Sequence, residues 1–139
     1  EEDMFLKEIE GEYGIITRVN VPYLEESVRW YEEKLGLRND RRFYVSEVWA
    51  QLNFPGIKNT ALGLSVGTPT PTESNVVTIV VSNIRRAQER LRELEVNIGE
   101  IEEVGKGVKL AYFTDLVGNR LALRENSHEH PKADEIGDG

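Results

Sequence analysis

The order of apolar and polar positions along the chain predicts the same set of elements twice. Each copy opens with an alternating or β-branched stretch typical of a strand, and the apolar residues after it recur at helical spacing. Three further apolar runs follow each helix and indicate three more strands. In the first copy we expect strands at 14–21, 40–46, 48–54 and 60–66 and a helix at 24–35. In the second copy we expect strands at 75–82, 96–103, 107–114 and 119–125 and a helix at 84–94.

The two copies keep a nearly constant offset. Leu24 and Ile84, which begin the two helices, are 60 residues apart, and so are Asn59 and Asn119. The simplest prediction is a single α+β domain over residues 1–139 that contains two βαβββ modules. The modules are expected at about 14–66 and 75–125, with a turn-rich linker at 67–74 and a disordered tail at 126–139. A sheet covered by one helix leaves its other side bare, so we expect the modules to cover each other.

Composition limits the classes of function. The chain has 139 residues, of which 39% are hydrophobic and 30% are charged, as in an ordinary globular domain. It contains no cysteine, which excludes disulfides and thiolate chemistry. The formal net charge of −8 disfavours nucleic acid as a partner, because such binding needs a basic surface. No apolar run approaches the roughly 20 residues that span a bilayer, so we expect no membrane partner and a cytoplasmic location.

Two segments carry a resemblance to a known family. Residues 21–37, VPYLEESVRWYEEKLGL, and residues 112–125, YFTDLVGNRLALRE, resemble motifs of the vicinal oxygen chelate superfamily. Glyoxalase I, extradiol dioxygenases and bleomycin-resistance proteins have this fold. The second motif departs at Leu116 and Val117, where the family has proline and an acidic residue. The resemblance implies curved mixed sheets that enclose a cavity, often completed in a homodimer, so we expect a homodimer.

The resemblance also implies where the enzymes of the superfamily carry their metal ligands, which are His, Gln or Glu on the first and last strands of each module. The corresponding residues here are Ile16, Val76 and Ala122, together with Gly63 or its neighbour Leu62. None of these residues can bind a divalent cation through its side chain, because such binding requires oxygen or imidazole ligands. We therefore expect no metal and no cofactor. His128 and His130 in the tail could chelate a metal only weakly.

Strand alternation then sorts the residues that would line the cavity. Residues in phase with Ile16 would point inward, and those between them would pack under the helix. The resulting candidate ligand-binding residues are Arg18, Asn20, Trp49, Gln51, Asn53, Tyr112, Arg120 and Arg124. They combine aromatic rings with a few polar groups, which is the usual composition of a small-molecule pocket. Arg18 is the preferred anchor because a guanidinium matches carboxylate and phosphate groups bidentately. No catalytic residue stands out.

The leading hypothesis is a metal-free small-molecule binding protein, similar to antibiotic-sequestering or ligand-sensing members of the superfamily. One alternative is a lyase, isomerase or oxygenase with a metal-dependent or metal-free acid–base mechanism. Another is an interaction module with a filled cavity, because the run NVVTIVV at 75–81 is apolar enough to be packed on both faces. The acidic net charge suits a cationic ligand and Arg18 suits an anionic one, so the sequence leaves the charge of the ligand open.

Overall fold

The computed structural model describes residues 11–69 and 76–127 of the chain. The chain divides into two compact units, of which the first comprises Glu1–Pro71 with Leu116–Asn119 and the second comprises Thr72–Asp115 with Arg120–Gly139. Each unit has a four-stranded mixed sheet and an α-helix in the order βαβββ. The predicted α+β class with two similar modules is therefore confirmed. No helix in the described ranges is long and apolar enough to cross a bilayer.

The sheet of the first unit has the strand order β1-β4-β3-β2. The elements of this unit are β1 (Ile15–Val21), α1 (Leu24–Trp30), β2 (Arg38–Asn39), β3 (Trp49–Asn53) and β4 (Thr60–Val66). β1 runs parallel to β4, whereas β4 with β3 and β3 with β2 are antiparallel pairs. After α1 the helical path continues as a wider π turn over Tyr31–Leu35. It ends at Gly36, whose φ of 75° is the left-handed cap that the sequence predicts.

The core of the first unit lies between α1 and one face of this sheet. Leu52, Leu62 and Leu64 on that face have no exposed surface, and Val28 and Tyr31 of the helical segment are also buried. Burial of an apolar side chain of this size contributes roughly 1.5–3 kcal/mol, so this face supplies most of the unit's stability. The opposite face of the sheet is consequently available for polar side chains.

The strand expected at 40–46 is wrong. Asp40 instead begins a 3₁₀ turn at Arg41–Phe43, and its side chain accepts a hydrogen bond from the backbone N–H of Arg42 at 3.2 Å. An aspartate that bonds to nearby backbone groups competes with strand pairing, which explains the turn. The strand of this region lies earlier in the chain, as the two-residue β2.

The sheet of the second unit has the order β5-β8-β7-β6, so the two units share one topology. Its elements are β5 (Val77–Val80), α2 (Ile84–Glu93), β6 (Glu102–Gly105), β7 (Val108–Thr114) and β8 (Arg120–Glu125). Asn83 caps α2, because its side chain accepts a hydrogen bond from the backbone N–H of Arg86 at 3.0 Å. Glu125 accepts a second one from the N–H of Ile84 at 2.7 Å. Two of the four orphan donors at the start of α2 therefore have side-chain partners.

Two expectations for the second unit are wrong. The strand expected at 96–103 is not continuous, because Ile98 forms only an isolated bridge with Phe113 of β7 and β6 begins at Glu102. The Gln88 side chain of α2 donates to the carbonyl oxygen of Gly99 between them at 2.8 Å. The run at 75–81 is not packed on both faces, since β5 is an edge strand and Val80 is 58% exposed. The alternative of an interaction module with a filled cavity loses its support with this second correction.

The segment Leu116–Asn119, which belongs to the first unit, supports the edge of β1. The Asn119 side chain donates a hydrogen bond to the carbonyl oxygen of Asn20 at 2.8 Å, and Asn119 is only 6% exposed. β1 is an edge strand, so its outward carbonyl groups have no strand partner on that side. Asn119 therefore satisfies a backbone acceptor on the strand that carries the candidate ligand-binding residues Arg18 and Asn20.

We predict that Asn119→Ala destabilises the protein by about 1–2 kcal/mol, because it leaves the Asn20 carbonyl group without its donor. Urea unfolding measures this loss. Asn97→Ala is the matched control, because Asn97 is exposed and only its backbone is bonded, so its change should stay within about 0.5 kcal/mol. Equal stabilities of the two variants would contradict the role of Asn119.

Candidate ligand-binding face of the first sheet

The polar side chains predicted on the first sheet share one face. Paired residues of neighbouring strands point to the same side of a sheet. The register pairs Gly63 of β4 with Arg18 on one side and with Gln51 on the other. Ser65 is paired in the same way with Asn20 and Trp49. We call this surface the polar face, and its members are Arg18, Asn20, Trp49, Gln51 and Asn53, together with Arg38, which is paired with Asn53. It lies opposite the face that packs against α1.

Trp49 lies directly over Gly63 in the middle of the polar face. A Cβ atom at position 63 would be 2.7 Å from Cζ2 and 2.9 Å from Cζ3 of the indole, so only glycine leaves room for the ring. The indole Nε1 donates a hydrogen bond to Oε1 of Gln51 at 3.3 Å, which orients both side chains. Because Trp49 is only partly buried, the ring remains accessible from the face.

Two hydrogen-bond donors flank the indole without a protein partner. Gln51 is 6% exposed, and its Oε1 accepts from Trp49, whereas its Nε2 group has no partner in the described part of the chain. Arg18 is exposed and forms no hydrogen bond or ion pair with any described residue. The two residues stand on either side of Gly63, so their Cα atoms are about 10 Å apart, which is two strand spacings. Such donors suit a carbonyl, carboxylate or phosphate group.

A groove of about 570 Å³ opens at the end of the polar face, and we call it the end groove. Tyr13, Arg38, Asn53, Phe54, Ile57 and Lys58 are among its lining residues. Sequence analysis missed Tyr13, Arg38 and Lys58 as site residues. Arg38 was missed because the second strand was expected at 40–46, whereas pairing of β2 with β3 places Arg38 beside Asn53.

A hydrogen-bonded cluster adjoins the end groove. The Tyr13 hydroxyl donates to Oδ2 of Asp40 at 2.8 Å and accepts from Nδ2 of Asn53 at 3.4 Å. Arg42 donates through Nε and Nη2 to both carboxylate oxygens of Asp40, at 3.0 and 2.7 Å. These bonds from Arg42 hold the pKa of Asp40 well below its usual range, while burial raises the pKa of Tyr13. Asp40 is therefore a weak base, and Tyr13 keeps its proton at neutral pH.

The three site residues predicted for the second module lie together on one face of the second sheet. Tyr112 is paired with Ala122, and Arg120 and Arg124 flank Ala122 along β8, so these side chains point the same way. The Arg120 guanidinium lies 4.0 Å from the centre of the Tyr112 ring, which is a cation–π contact. Arg124 donates to Oδ1 of Asn126 at 2.7 Å. Both arginines thus have local partners.

The family model of the Glyoxalase/Bleomycin resistance protein/Dioxygenase superfamily matches residues 15–123. This match covers both βαβββ modules from β1 into β8. The chain belongs to this superfamily. The resemblance of its two sequence motifs is therefore confirmed. Among curated proteins, none matches the sequence.

Several solved structures of the superfamily are similar to this chain. A member from Sphaerobacter thermophilus DSM 20745 is 19% identical with a TM-score of 0.71, and the alignment covers 86% of this chain and 99% of that one. Lactoylglutathione lyase from Agrobacterium tumefaciens is 13% identical with a TM-score of 0.64, over 81% and 92% of the two chains. The fosfomycin resistance protein FosX from Listeria monocytogenes is 14% identical with a TM-score of 0.65, over 81% and 92%. At these identities the likeness establishes the fold alone.

The positions implied for the superfamily's metal ligands do not fit a metal ion here. Arg18 and Thr78 have equivalent positions on the first strands of the two modules. Arg18 pairs with Gly63 and Thr78 pairs with Ala122, so Gly63 rather than Leu62 is the counterpart of Ala122. Ile16, Gly63, Val76 and Ala122 have no side-chain donor atom. No group of three or more His, Cys, Asp or Glu residues suited to a metal occurs within 11–69 and 76–127. His128 and His130 lie outside the described residues.

We predict that Gly63→Ala displaces the Trp49 indole. Replacement of glycine by alanine normally raises the free energy of unfolding by about 0.4–1 kcal/mol where the backbone allows it. Overpacking against the indole lowers it by about 1–3 kcal/mol, so we expect a net loss of stability. The emission of Trp49, read in a Trp30→Phe background, should shift to the red. Gly99→Ala is the control, since its Cβ would lie 3.6 Å from the nearest atom. Unchanged emission with raised stability would contradict the packing of Trp49 on Gly63.

We predict that Asp40→Asn lowers the free energy of unfolding at neutral pH by about 1–2 kcal/mol. We expect a value at the lower end of this range, because Arg42 is 59% exposed and solvent screens its attraction to Asp40. The folded pKa of Asp40 lies below the unfolded value of about 3.9, so its contribution is complete above about pH 5 and is lost as the pH falls further. Urea unfolding between pH 7 and pH 3 should therefore show a shallower acid decline for the variant. Glu93→Gln, in an exposed ion pair, should follow the wild-type curve. A variant curve parallel to wild type would exclude the linkage.

Proposed function

We propose that the protein binds a small molecule on the polar face and in the end groove of its first unit, without a metal ion at the superfamily's usual ligand positions. The observation that carries this proposal is the packing of Trp49 over Gly63. The resemblance implies a metal ligand (His, Gln or Glu) at position 63, and here an indole lies over that position instead. The site is therefore suited to stacking and hydrogen bonding rather than to coordination.

The chemistry of the polar face supports binding. The accessible indole of Trp49 can stack against a planar group, which is worth about 0.5–1.5 kcal/mol beyond burial. The Nε2 group of Gln51 is accessible and has no acceptor among the described residues, so it can donate a hydrogen bond to a ligand. Arg18 adds a donor with a fixed planar fork. The pocket thus has an aromatic platform and orienting donors, as small-molecule sites do.

The enzyme alternative receives less support from the described residues. Asp40 is engaged by Tyr13 and Arg42, and Glu125 accepts a hydrogen bond from the start of α2. These carboxylates have structural partners, so neither is placed as a free general base. Among similar structures, one is named a lyase and one a fosfomycin resistance protein, and the likeness of this chain to them extends to the fold alone. Antibiotic sequestration or ligand sensing accords better with a binding face.

The proposal also includes the oligomeric state and the cellular location of the protein. We expect a homodimer and a cytoplasmic location, as predicted from the sequence. Sedimentation at several protein concentrations tests whether the protein is a homodimer.

Protein purified without a histidine tag is expected to contain substoichiometric zinc, manganese, iron and nickel by inductively coupled plasma mass spectrometry. Its melting temperature should rise equally with and without EDTA when a ligand from a panel of aromatic carboxylates, fosfomycin and bleomycin binds. A ligand at one hundred times its Kd stabilises the native state by about 2.7 kcal/mol, which is readily measured.

The control variant for this test carries His128→Ala and His130→Ala, which removes chelation by the tail. A stoichiometric metal that this variant retains, and whose removal abolishes ligand binding, would overturn the proposed function. Trp49→Ala should weaken binding of any panel compound that contains a planar ring, and an unchanged Kd would exclude the stacking role.

A further inference from the structure

The end groove has an apolar wall that a tight turn holds in place. Pro55 and Gly56 occupy the central positions of this turn, in which the N–H of Ile57 donates to the carbonyl oxygen of Phe54 at 3.0 Å. Gly56 has φ of 86°, as the third residue of a type II turn requires. Phe54 and Ile57 both line the groove, and Ile57 is 54% exposed. The wall is therefore formed before any ligand arrives.

The end groove also carries two cations that have no counter-ion within the described part of the chain. Arg38 and Lys58 line it, and neither forms a hydrogen bond or an ion pair with any residue of the described ranges. Glu12 is the one carboxylate among the described lining residues, and Arg42 binds it in an ion pair. The groove is therefore locally positive, although the whole chain has a formal charge of −8. Unneutralised guanidinium and ammonium groups favour an oxyanion.

The acidic side chain of Asp40 adjoins the lining of the groove. Asp40 accepts a hydrogen bond from the hydroxyl of Tyr13, which does line the groove, and Arg42 donates two hydrogen bonds to Asp40. Arg42 shares its single positive charge between Asp40 and Glu12, so these three groups together carry a formal charge of −1. The two charges of Arg38 and Lys58 exceed this, which leaves the described groups around the groove positive by one charge.

We propose that the end groove binds the oxyanion of an organic acid whose apolar body lies against Phe54 and Ile57. This assignment rests on the proposed binding function and names the class of ligand, an amphiphilic organic anion rather than a cation. Asn53 belongs to both the groove and the polar face, and it lies about 7 Å along β3 from Gln51. The groove volume of about 570 Å³ is within the usual range for small-molecule pockets.

Isothermal titration with four matched probes tests the assignment: benzoate, phenylphosphonate, benzamide and benzylamine. Benzoate or phenylphosphonate should bind with a Kd of about 1 mM or tighter, and whichever binds better identifies the preferred oxyanion. The neutral benzamide should bind about tenfold more weakly, and benzylamine should not bind. The affinity for the anion should fall as salt is raised.

Arg38→Ala and Lys58→Ala should each weaken benzoate binding about tenfold, and the double variant should abolish it. The matched control is Arg85→Ala with Arg86→Ala, which removes the same charge from exposed positions of α2 in the second unit and should leave the Kd unchanged. Circular dichroism and melting temperature confirm that all variants are folded.

Three outcomes would overturn the assignment: no binding of either anion, tighter binding of benzylamine, or an unchanged benzoate Kd in the double variant. These outcomes leave the proposed function intact if a panel ligand still binds without metal and still depends on Trp49. Conversely, a stoichiometric metal that ligand binding requires would refute the proposed function. The benzoate affinities of the Arg38 and Lys58 variants would still test whether the end groove binds an anion.

Discussion

The absence of a side chain at Gly63 is the constraint on which the polar face depends. β4 is a central strand, and Gly63 stands between Arg18 and Gln51 in the register. Because no Cβ fills the space above it, the Trp49 ring can lie against the sheet and direct its N–H to Gln51. That hydrogen bond occupies the amide oxygen of Gln51 and leaves its amino group available. One residue thus removes a coordinating side chain and creates an aromatic platform with donors beside it.

The local charge of the first unit depends on which charged side chains form ion pairs and not on the overall composition of the chain. The chain has 25 acidic and 17 basic residues, yet Arg42 binds both Asp40 and Glu12 and so cancels one of their two negative charges near the end groove. Arg38 and Lys58 retain their charge in the same region. A positive site can therefore exist on an acidic protein, and the net charge is a poor guide to the ligand. The sequence favoured anionic and cationic ligands equally because it does not show which charges are paired.

Sequence periodicity was sufficient for the fold and for one face of the site. Alternation in β1 and β3 predicted which side chains point away from α1, and the offset of 60 between Leu24 and Ile84 predicted the duplication. The end groove could not be predicted, because its position depends on β2, which a local cap at Asp40 displaces. The placement of Trp49 over Gly63 also could not be predicted from the sequence. It joins residues on neighbouring strands that are not paired with each other, and the pattern within a single strand contains no such information.

The duplicated modules have the same topology but have diverged in how their cations are used. On the second sheet Arg120 lies over Tyr112 and Arg124 is bonded to Asn126, so each guanidinium has a partner within its own unit. On the first sheet Arg18 forms no such bond with any described residue, and the Nε2 group of Gln51 has no acceptor among them. A stacked arginine already gains its stabilisation within the folded chain, whereas the donors of the first sheet remain available to a ligand. We therefore propose the ligand site on the first module. Topology alone would assign the two modules equal roles, and the difference between them lies in which polar groups the protein leaves unpaired.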